Sequence, residues 1–461
     1  MLRCAARRAE PRRIVASCIS HIRAKSLSLL RRSFRTLLLA SVGYRSSKRA
    51  ASQKHGGQTE LCHQSQVRAA NLEHLMTPLR PLISLISTLI LIASIYLLWT
   101  WYRGEVIQRP DATFEVHREA WMLWVGGILL AGSFLGRWPL MFLLARPDTD
   151  PMLKDGNGGE VITGADGEKL QIYSHGPAGA PTILMTHGWS LDHTVWQYAV
   201  RDLSKEFRVV TWDLPGLGRS SAHKVSLSNM AANLQVILSH LRQPVLLVGH
   251  SIGGMAIQTL FRDHPDAQRQ AIAGVVLVNT TYTNPLRTII LSPLFRLLRW
   301  PLLEPLLWLQ IILKPLAWLM SWQSYISGST HLTARLGYGA LVTRSQLEHT
   351  AWLMTTNSPS VQARGDLAMF RWDATEALAG ISLPTLVLAG EADVVTKPSA
   401  SRHIAEAVPG ASLKTFEHVN HMGFLEKSQA YNLAVRDFAN EVFAPSKVGL
   451  SASRREAAND S

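Results

Sequence analysis

The segment Pro244–Leu260 restricts the fold more than any other part of the sequence, because an apolar run passes through a glycine-flanked serine into a helical pattern. The turn reads Gly249-His250-Ser251-Ile252-Gly253. A strand that turns this sharply into a helix brings backbone atoms so close that a Cβ at residue 249 or 253 would clash. The strained turn also holds the Ser251 hydroxyl clear of the sheet, so we predict that Ser251 is presented as a nucleophile.

Short apolar runs alternate with helical stretches through the rest of the chain. They lie at 170–174, 182–188, 207–213, 244–250, 274–280 and 384–390. Continuous runs of Val, Leu and Ile with helical connections are typical of a parallel sheet that is buried on both faces. We therefore predict an α/β domain over residues 160–443.

A serine hydroxyl is a weak nucleophile near neutral pH and needs a base, which in turn needs a carboxylate to orient it. Asp393 follows the apolar strand that ends at Gly390, and His421 lies in a loop between a short strand and a helix. We predict a Ser251, Asp393 and His421 triad. Glu391 and His418 are alternatives for the acid and the base.

Nucleophilic attack on a carbonyl also needs backbone donors for the oxyanion. His187-Gly188 allows a sharp turn after a strand and presents the N–H of Trp189. Ile252, the residue after the nucleophile, supplies the second N–H. His187 and His250 are interpreted as structural residues of their turns.

Together these motifs resemble the α/β-hydrolase superfamily over about residues 160–443. The segments that carry the resemblance are HGW (187–189), DLPGLGRS (213–220), GHSIGG (249–254), GEAD (390–393) and HMGFLE (421–426). The resemblance implies a mostly parallel eight-stranded sheet with a helical cap inserted at 284–378. It also argues against epoxide hydrolases and haloalkane dehalogenases, whose nucleophile at this turn is an Asp.

The net charge of +14 does not indicate nucleic-acid binding, because residues 1–75 hold fifteen Lys or Arg and only three acids. The remaining chain is nearly neutral and has no basic stripe for phosphates. This leader contains Cys4, Cys18 and Cys62 and is similar in composition to a mitochondrial transit peptide. Alternatively it is an upstream extension that precedes a start at Met76. Residues 444–461 are predicted to be a disordered tail.

A membrane anchor is predicted at 76–146, before a linker at 147–159. Residues 81–102 carry no charge and are long enough to cross a bilayer as a helix. A second span at 120–145 contains Arg137, and a helix lying on the membrane or over the cap is the alternative. With two spans, the distribution of basic residues places the catalytic domain on the cytoplasmic side.

The predicted cap is rich in Leu, Ile and Trp from Leu286 to Trp322, and its composition suits either packing on the core or docking on lipid. The chain resembles membrane-bound monoacylglycerol lipases and carboxylesterases, which implies a lipophilic ester as substrate. The alternatives are carbon–carbon bond hydrolysis, a haloperoxidase-like activity, and a hydrolase-like receptor or scaffold. We predict no metal and no cofactor, and the sequence leaves the oligomeric state open.

Overall fold

The computed structural model describes residues 80–152, 158–269 and 272–444. The predicted leader with its three cysteines, part of the predicted linker, and the predicted tail after Ala444 lie outside the described residues.

Sixteen α-helices and ten strands occur within those described ranges. The α-helices are α1 Arg80–Arg103, α2 Ala120–Leu135, α3 Arg137–Leu144, α4 Gln197–Leu203, α5 Leu227–Leu241, α6 Ile252–Asp263, α7 Pro285–Thr288, α8 Ser292–Leu298, α9 Glu304–Ile312, α10 Lys314–Ile326, α11 Ser329–Arg335, α12 Arg344–Thr356, α13 Pro359–Met369, α14 Pro398–Ala407, α15 Gly423–Glu426 and α16 Ser428–Phe443. The strands are β1 Glu105–Gln108, β2 Phe114–His117, β3 Glu160–Thr163, β4 Lys169–His175, β5 Thr182–Thr186, β6 Arg208–Trp212, β7 Val245–His250, β8 Ile272–Val278, β9 Thr385–Gly390 and β10 Ser412–Phe416.

Eight strands form one sheet in the order β10-β9-β8-β7-β5-β6-β4-β3. The strands from β10 to β6 pair in parallel, whereas β4 is antiparallel to both of its neighbours. The prediction of a mostly parallel eight-stranded sheet is confirmed. Strands β5 and β7 are buried at every residue, as their unbroken apolar sequences predicted.

Apolar side chains are buried in separate clusters on the two faces of the sheet. One cluster includes Met185 and Val248, and the other includes Leu184 and Leu247, so neighbouring residues of one strand face opposite layers. The parallel strands end at a common edge. The loops after β5, β7 and β9 therefore meet there.

Helices α7 to α13 lie between β8 and β9, where the sequence predicted a cap. A third apolar cluster lies within these helices and includes Phe295, Leu307 and Phe370. Leu82 and Ile83 of α1 pack against the same cluster. The first turn of α1 is therefore part of the packing around the cap.

One helix of the described residues, α1, is long and apolar enough to cross a membrane. The second predicted span differs from a straight helix, because α2 and α3 meet at a bend of 67°. The bend lies at Gly136, where an added Cβ would come 2.3 Å from the carbonyl oxygen of Ser327. A second bent apolar pair is formed by the segment Ser292–Ile312, which contains α8 and α9, and by α10, with an angle of 110° between them.

Candidate active site

Ser251 lies between β7 and α6 in a backbone conformation that is rare for residues other than glycine, with φ 52° and ψ −117°. Its N–H donates to the carbonyl of Val278 at 3.0 Å. A Cβ at Gly249 would approach the carbonyl carbon of Gly253 to 2.6 Å, and a Cβ at Gly253 would approach the Thr186 oxygen to 2.4 Å. Both glycines are therefore required by close backbone approach.

Asp393 and His421 come together at the carboxyl edge of the sheet. Asp393 follows β9, His421 precedes α15, and the His421 Nδ1 lies 3.0 Å from the Asp393 Oδ2. The Asp393 side chain is 1% exposed and the His421 side chain 10%. The backbone carbonyl of His421 accepts a hydrogen bond from His250 Nε2 at 3.1 Å, which ties His421 to the residue before Ser251.

The Asp393 carboxylate is held in its charged form by its surroundings. Burial raises the pKa of this carboxyl, but the neighbouring His421 and hydrogen bonds from Asn279 and Thr396 outweigh that effect and lower the pKa below its usual value. The Asn279 Nδ2 donates at 2.9 Å, and the Thr396 Oγ1 and N–H both donate at 2.8 Å. Asp393 can therefore orient an imidazole without being protonated itself.

The alternatives to Asp393 and His421 lie on the surface, where Glu391 and His418 are exposed. Their contact is local, since the His418 N–H donates to the Glu391 carboxylate at 3.3 Å. His187 instead accepts the N–H of Leu214 on its Nε2 at 3.0 Å, deep in the fold. Burial lowers the pKa of His250 well below its ordinary value, and the charge of His421 adds to this effect.

The loop after β5 lies beside the nucleophile turn. A Cβ at Gly188 would approach the Nδ1 of His250 to 2.5 Å, so the two turns are in direct contact. Trp189 follows in this loop, and its indole packs so closely on α13 that a Cβ at Gly365 would overlap it. Ile252 is the first residue of α6, and its N–H therefore has no acceptor within the helix.

A cavity of about 210 Å³ lies beside the nucleophile turn. Ser251, His421 and Trp189 line it together with apolar side chains from the cap and polar side chains that belong to none of the sequence motifs. Those polar residues include Arg80, Gln310, Ser321, Gln362 and Asp366. They come from α1, α9, α10 and α13, so the cavity is bounded by the cap and the first turn of α1.

Asp366 is a half-buried acid that lines this cavity. Burial raises its pKa to about 7, although the charge of Arg80 and the indole of Trp189 act in the opposite direction. No periodicity marks Asp366, Gln362 or Asn279 in the sequence, because each acts through partners far away along the chain. Among the described residues no group of three or more His, Cys, Asp or Glu is placed to hold a metal ion.

The chain is similar to known ester hydrolases. A family model described as the alpha/beta hydrolase fold matches residues 181–428. The chain is 26% identical over 276 residues to a pimeloyl-[acyl-carrier protein] methyl ester esterase of Vibrio atlanticus, covering 59% of this chain and 98% of that relative. The enzyme of the same name from Sodalis glossinidius is 27% identical over 270 residues, covering 57% of this chain and 94% of that relative.

The fold is also similar to solved structures. An esterase from Exiguobacterium antarcticum has a TM-score of 0.51 at 18% identity, and the likeness covers 61% of this chain and all of that protein. The family match begins at residue 181, so helices α1 to α3 lie outside it.

Proposed function

Since the chain belongs to the alpha/beta hydrolase fold family, we propose that it is a membrane-anchored serine hydrolase that cleaves lipophilic carboxylic esters. The observation that carries the proposal is the hydrogen bond of 3.0 Å between Asp393 and His421, beside a cavity that both His421 and Ser251 line. The named relatives are ester hydrolases, which supports the same class of reaction.

In the proposed mechanism, His421 takes the hydroxyl proton of Ser251 as the serine oxygen attacks the acyl carbon of the ester. Asp393 orients the imidazole and stabilises its charged form. The N–H groups of Trp189 and Ile252 donate to the oxyanion that forms. The alcohol leaves with the proton from His421, and water then releases the acyl group from Ser251 by the reverse proton transfers.

The walls of the cavity favour a lipophilic acyl group. The cap side of the cavity is lined by Leu286, Ile289, Leu307, Met369 and Phe370. Binding is favoured when an acyl chain displaces water from this apolar area. A monoacylglycerol or a similar long-chain ester fits this description. If the purified chain cleaves short soluble esters efficiently but no long-chain acylglycerol, this substrate class is wrong.

Anchoring by α1 is supported by its length and its surface. Its 24 residues extend about 36 Å, which exceeds the thickness of a hydrocarbon core. Ile92, Ile95 and Trp99 are exposed on it, whereas a Cβ at Gly126 of α2 would come 2.9 Å from Leu98. Helices α1 and α2 thus pack closely and present apolar side chains outward.

We take α1 and α2 as a hairpin that enters the membrane, with the catalytic domain on the cytoplasmic side. The segment between them has no excess of basic residues, which suits the opposite side. Protease treatment of sealed vesicles tests the arrangement. Cleavage within residues 104–119 from the cytoplasmic side would contradict it.

The catalytic assignment is tested with a fluorophosphonate probe, which forms a covalent bond with an activated serine. We expect labelling of the full-length wild-type chain and none of a Ser251→Ala variant. Ser239→Ala, at an exposed serine of α5, is the matched control and should label like wild type. Labelling that persists in Ser251→Ala would contradict the assignment of the nucleophile.

A further inference from the structure

The carboxamide of Gln362, on α13 of the cap, is buried with 4% exposure and uses all of its hydrogen-bonding capacity. Its Nε2 donates to the carbonyls of Met354 at 3.0 Å and Asn357 at 2.7 Å. Its Oε1 accepts from the Ser190 hydroxyl at 2.6 Å and from the guanidinium of Arg80. The orientation of this amide is therefore determined by partners on all sides.

Gln362 makes two contacts with the loop that carries the proposed oxyanion donor, one through its side chain and one through its backbone. Besides the Ser190 hydroxyl, the Trp189 indole N–H donates to the backbone carbonyl of Gln362 at 3.2 Å. Ser190 has φ 63°, a left-handed conformation that costs about 1 kcal/mol for a residue other than glycine. Asn357 also donates from its Nδ2 to the Ser190 carbonyl at 3.1 Å. The loop is held in a strained form by α13 and the residues before it.

The contact of Gln362 with Arg80 leads to the helix proposed to enter the membrane. Arg80 is the first residue of α1, and its guanidinium donates to Gln362, to the Met354 carbonyl and to the Ser321 hydroxyl, the last at 3.4 Å. Arg80 is half-buried, and a cation withdrawn from water is destabilising without such partners. These contacts therefore favour the observed docked position of α1. Leu82 fixes that position further by packing on the cap cluster.

We propose that Arg80 is a positioning residue that acts through Gln362 on the loop of Trp189 and Ser190, so that docking of α1 on the cap is needed for full esterase activity. The inference rests on the proposed function, because it takes the Trp189 N–H as a donor to the oxyanion. An oxyanion donor acts mainly in the transition state. A displaced loop should therefore slow turnover more than it weakens substrate binding.

The test compares Arg80→Met, Gln362→Leu and the double variant in the full-length chain, with a short-chain p-nitrophenyl ester and active-site titration by the fluorophosphonate. We expect each single variant to lower kcat by about tenfold or more, with KM changed less than threefold, by analogy with the loss of one oxyanion donor. The double variant should be no slower than the slower single variant. Arg80→Lys keeps the charge and a donor and should recover part of the lost kcat.

Arg103→Met is the matched control, since Arg103 is exposed at the other end of the same helix. It should leave kcat and KM unchanged. The proposal is overturned if kcat of folded Arg80→Met stays within twofold of wild type, or if the two single effects multiply in the double variant. Should Arg80→Met not fold, an unchanged kcat in Gln362→Leu overturns it equally. Labelling of wild type but not of Ser251→Ala upholds the hydrolase itself in every one of these cases.

Discussion

The side-chain amide of Asn279 donates a hydrogen bond to the Asp393 carboxylate, with Nδ2 2.9 Å from Oδ2. Asn279 follows β8, and its own Oδ1 accepts the hydroxyl of Tyr431 at 3.1 Å. The amide thus stands at the end of the neighbouring strand, beside the proposed acid. It stabilises the charge of Asp393 without adding a second negative charge.

Replacing this amide by a carboxylate should shift the pH dependence of catalysis. In Asn279→Asp two buried carboxyls share one site, and their repulsion raises the pKa at which the pair binds its first proton. Asp393 then shares a proton at a pH where it is fully charged in wild type. We expect the acid limb of the kcat/KM profile to move up by about one pH unit or more. Unchanged limbs in a folded Asn279→Asp variant would contradict this role, and Asn432→Asp, at another buried amide, is the control.

Asp366 should make the stability of the fold depend on pH, because its pKa is raised whereas that of Asp393 is lowered. Its folded-state pKa of about 7 lies above the ordinary value of 3.8, mainly because of burial. The folded chain therefore keeps a proton that the unfolded chain releases between about pH 4 and 7, so this group makes stability fall as pH rises through that window. Asp366→Asn cannot titrate. Its free energy of unfolding relative to wild type should rise by up to about 1.4 kcal/mol per pH unit between pH 5 and 7.

Chemical unfolding at pH 5, 6, 7 and 8 measures this trend. Asp373→Asn is the control. Burial raises the pKa of Asp373, but hydrogen bonds from Thr283 and Thr375 outweigh that effect and lower the pKa below its ordinary value. Its difference from wild type should stay constant over the same range. A constant difference for Asp366→Asn as well would show that this carboxyl does not titrate there.

The fold could be predicted from the sequence because its signals are local. All six apolar runs overlap strands of the sheet, and the glycine turn around Ser251 has the predicted geometry. Strands β3 and β10 are harder to recognise, since they are mostly exposed and carry polar residues. The bend at Gly136 lies against the carbonyl of Ser327, and no local sequence pattern reveals such a long-range contact.

The candidate site could be predicted only in part. Asp393 and His421 were predictable from their positions after strands, and the structure brings them together, while their catalytic roles stay predictions. The contacts of Arg80 with Gln362 join residues 282 positions apart, and neither residue belongs to a motif. The class of ester hydrolase is confirmed, whereas the lipid substrate and the sidedness stay proposals.

Gly253 offers a test of the close approach at the nucleophile turn. A Cβ there would lie 2.4 Å from the Thr186 carbonyl oxygen, so Gly253→Ala must displace β5 or α6. We expect a loss of about 2 kcal/mol or more in the free energy of unfolding and a large fall in kcat. Gly179→Ala, where no atom lies within 4 Å of the added Cβ, should be neutral in both measurements. Equal effects of the two substitutions would argue against the steric explanation.

The last prediction concerns lipid substrates and the apolar surface of the cap. Trp300 and Trp308 are 65% and 51% exposed, whereas Trp322 packs against the core. Docking of the exposed tryptophans on lipid stays a prediction. Replacing Trp300 and Trp308 by Ser removes apolar area that would be buried in the interface. We expect hydrolysis of a long-chain ester in phospholipid vesicles to fall about fivefold or more, with no change for a short soluble ester. Leu433→Ser, at a 49% exposed site on α16, should change neither rate. A parallel fall with both esters would instead mean that the substitutions damage the cavity rather than the membrane contact.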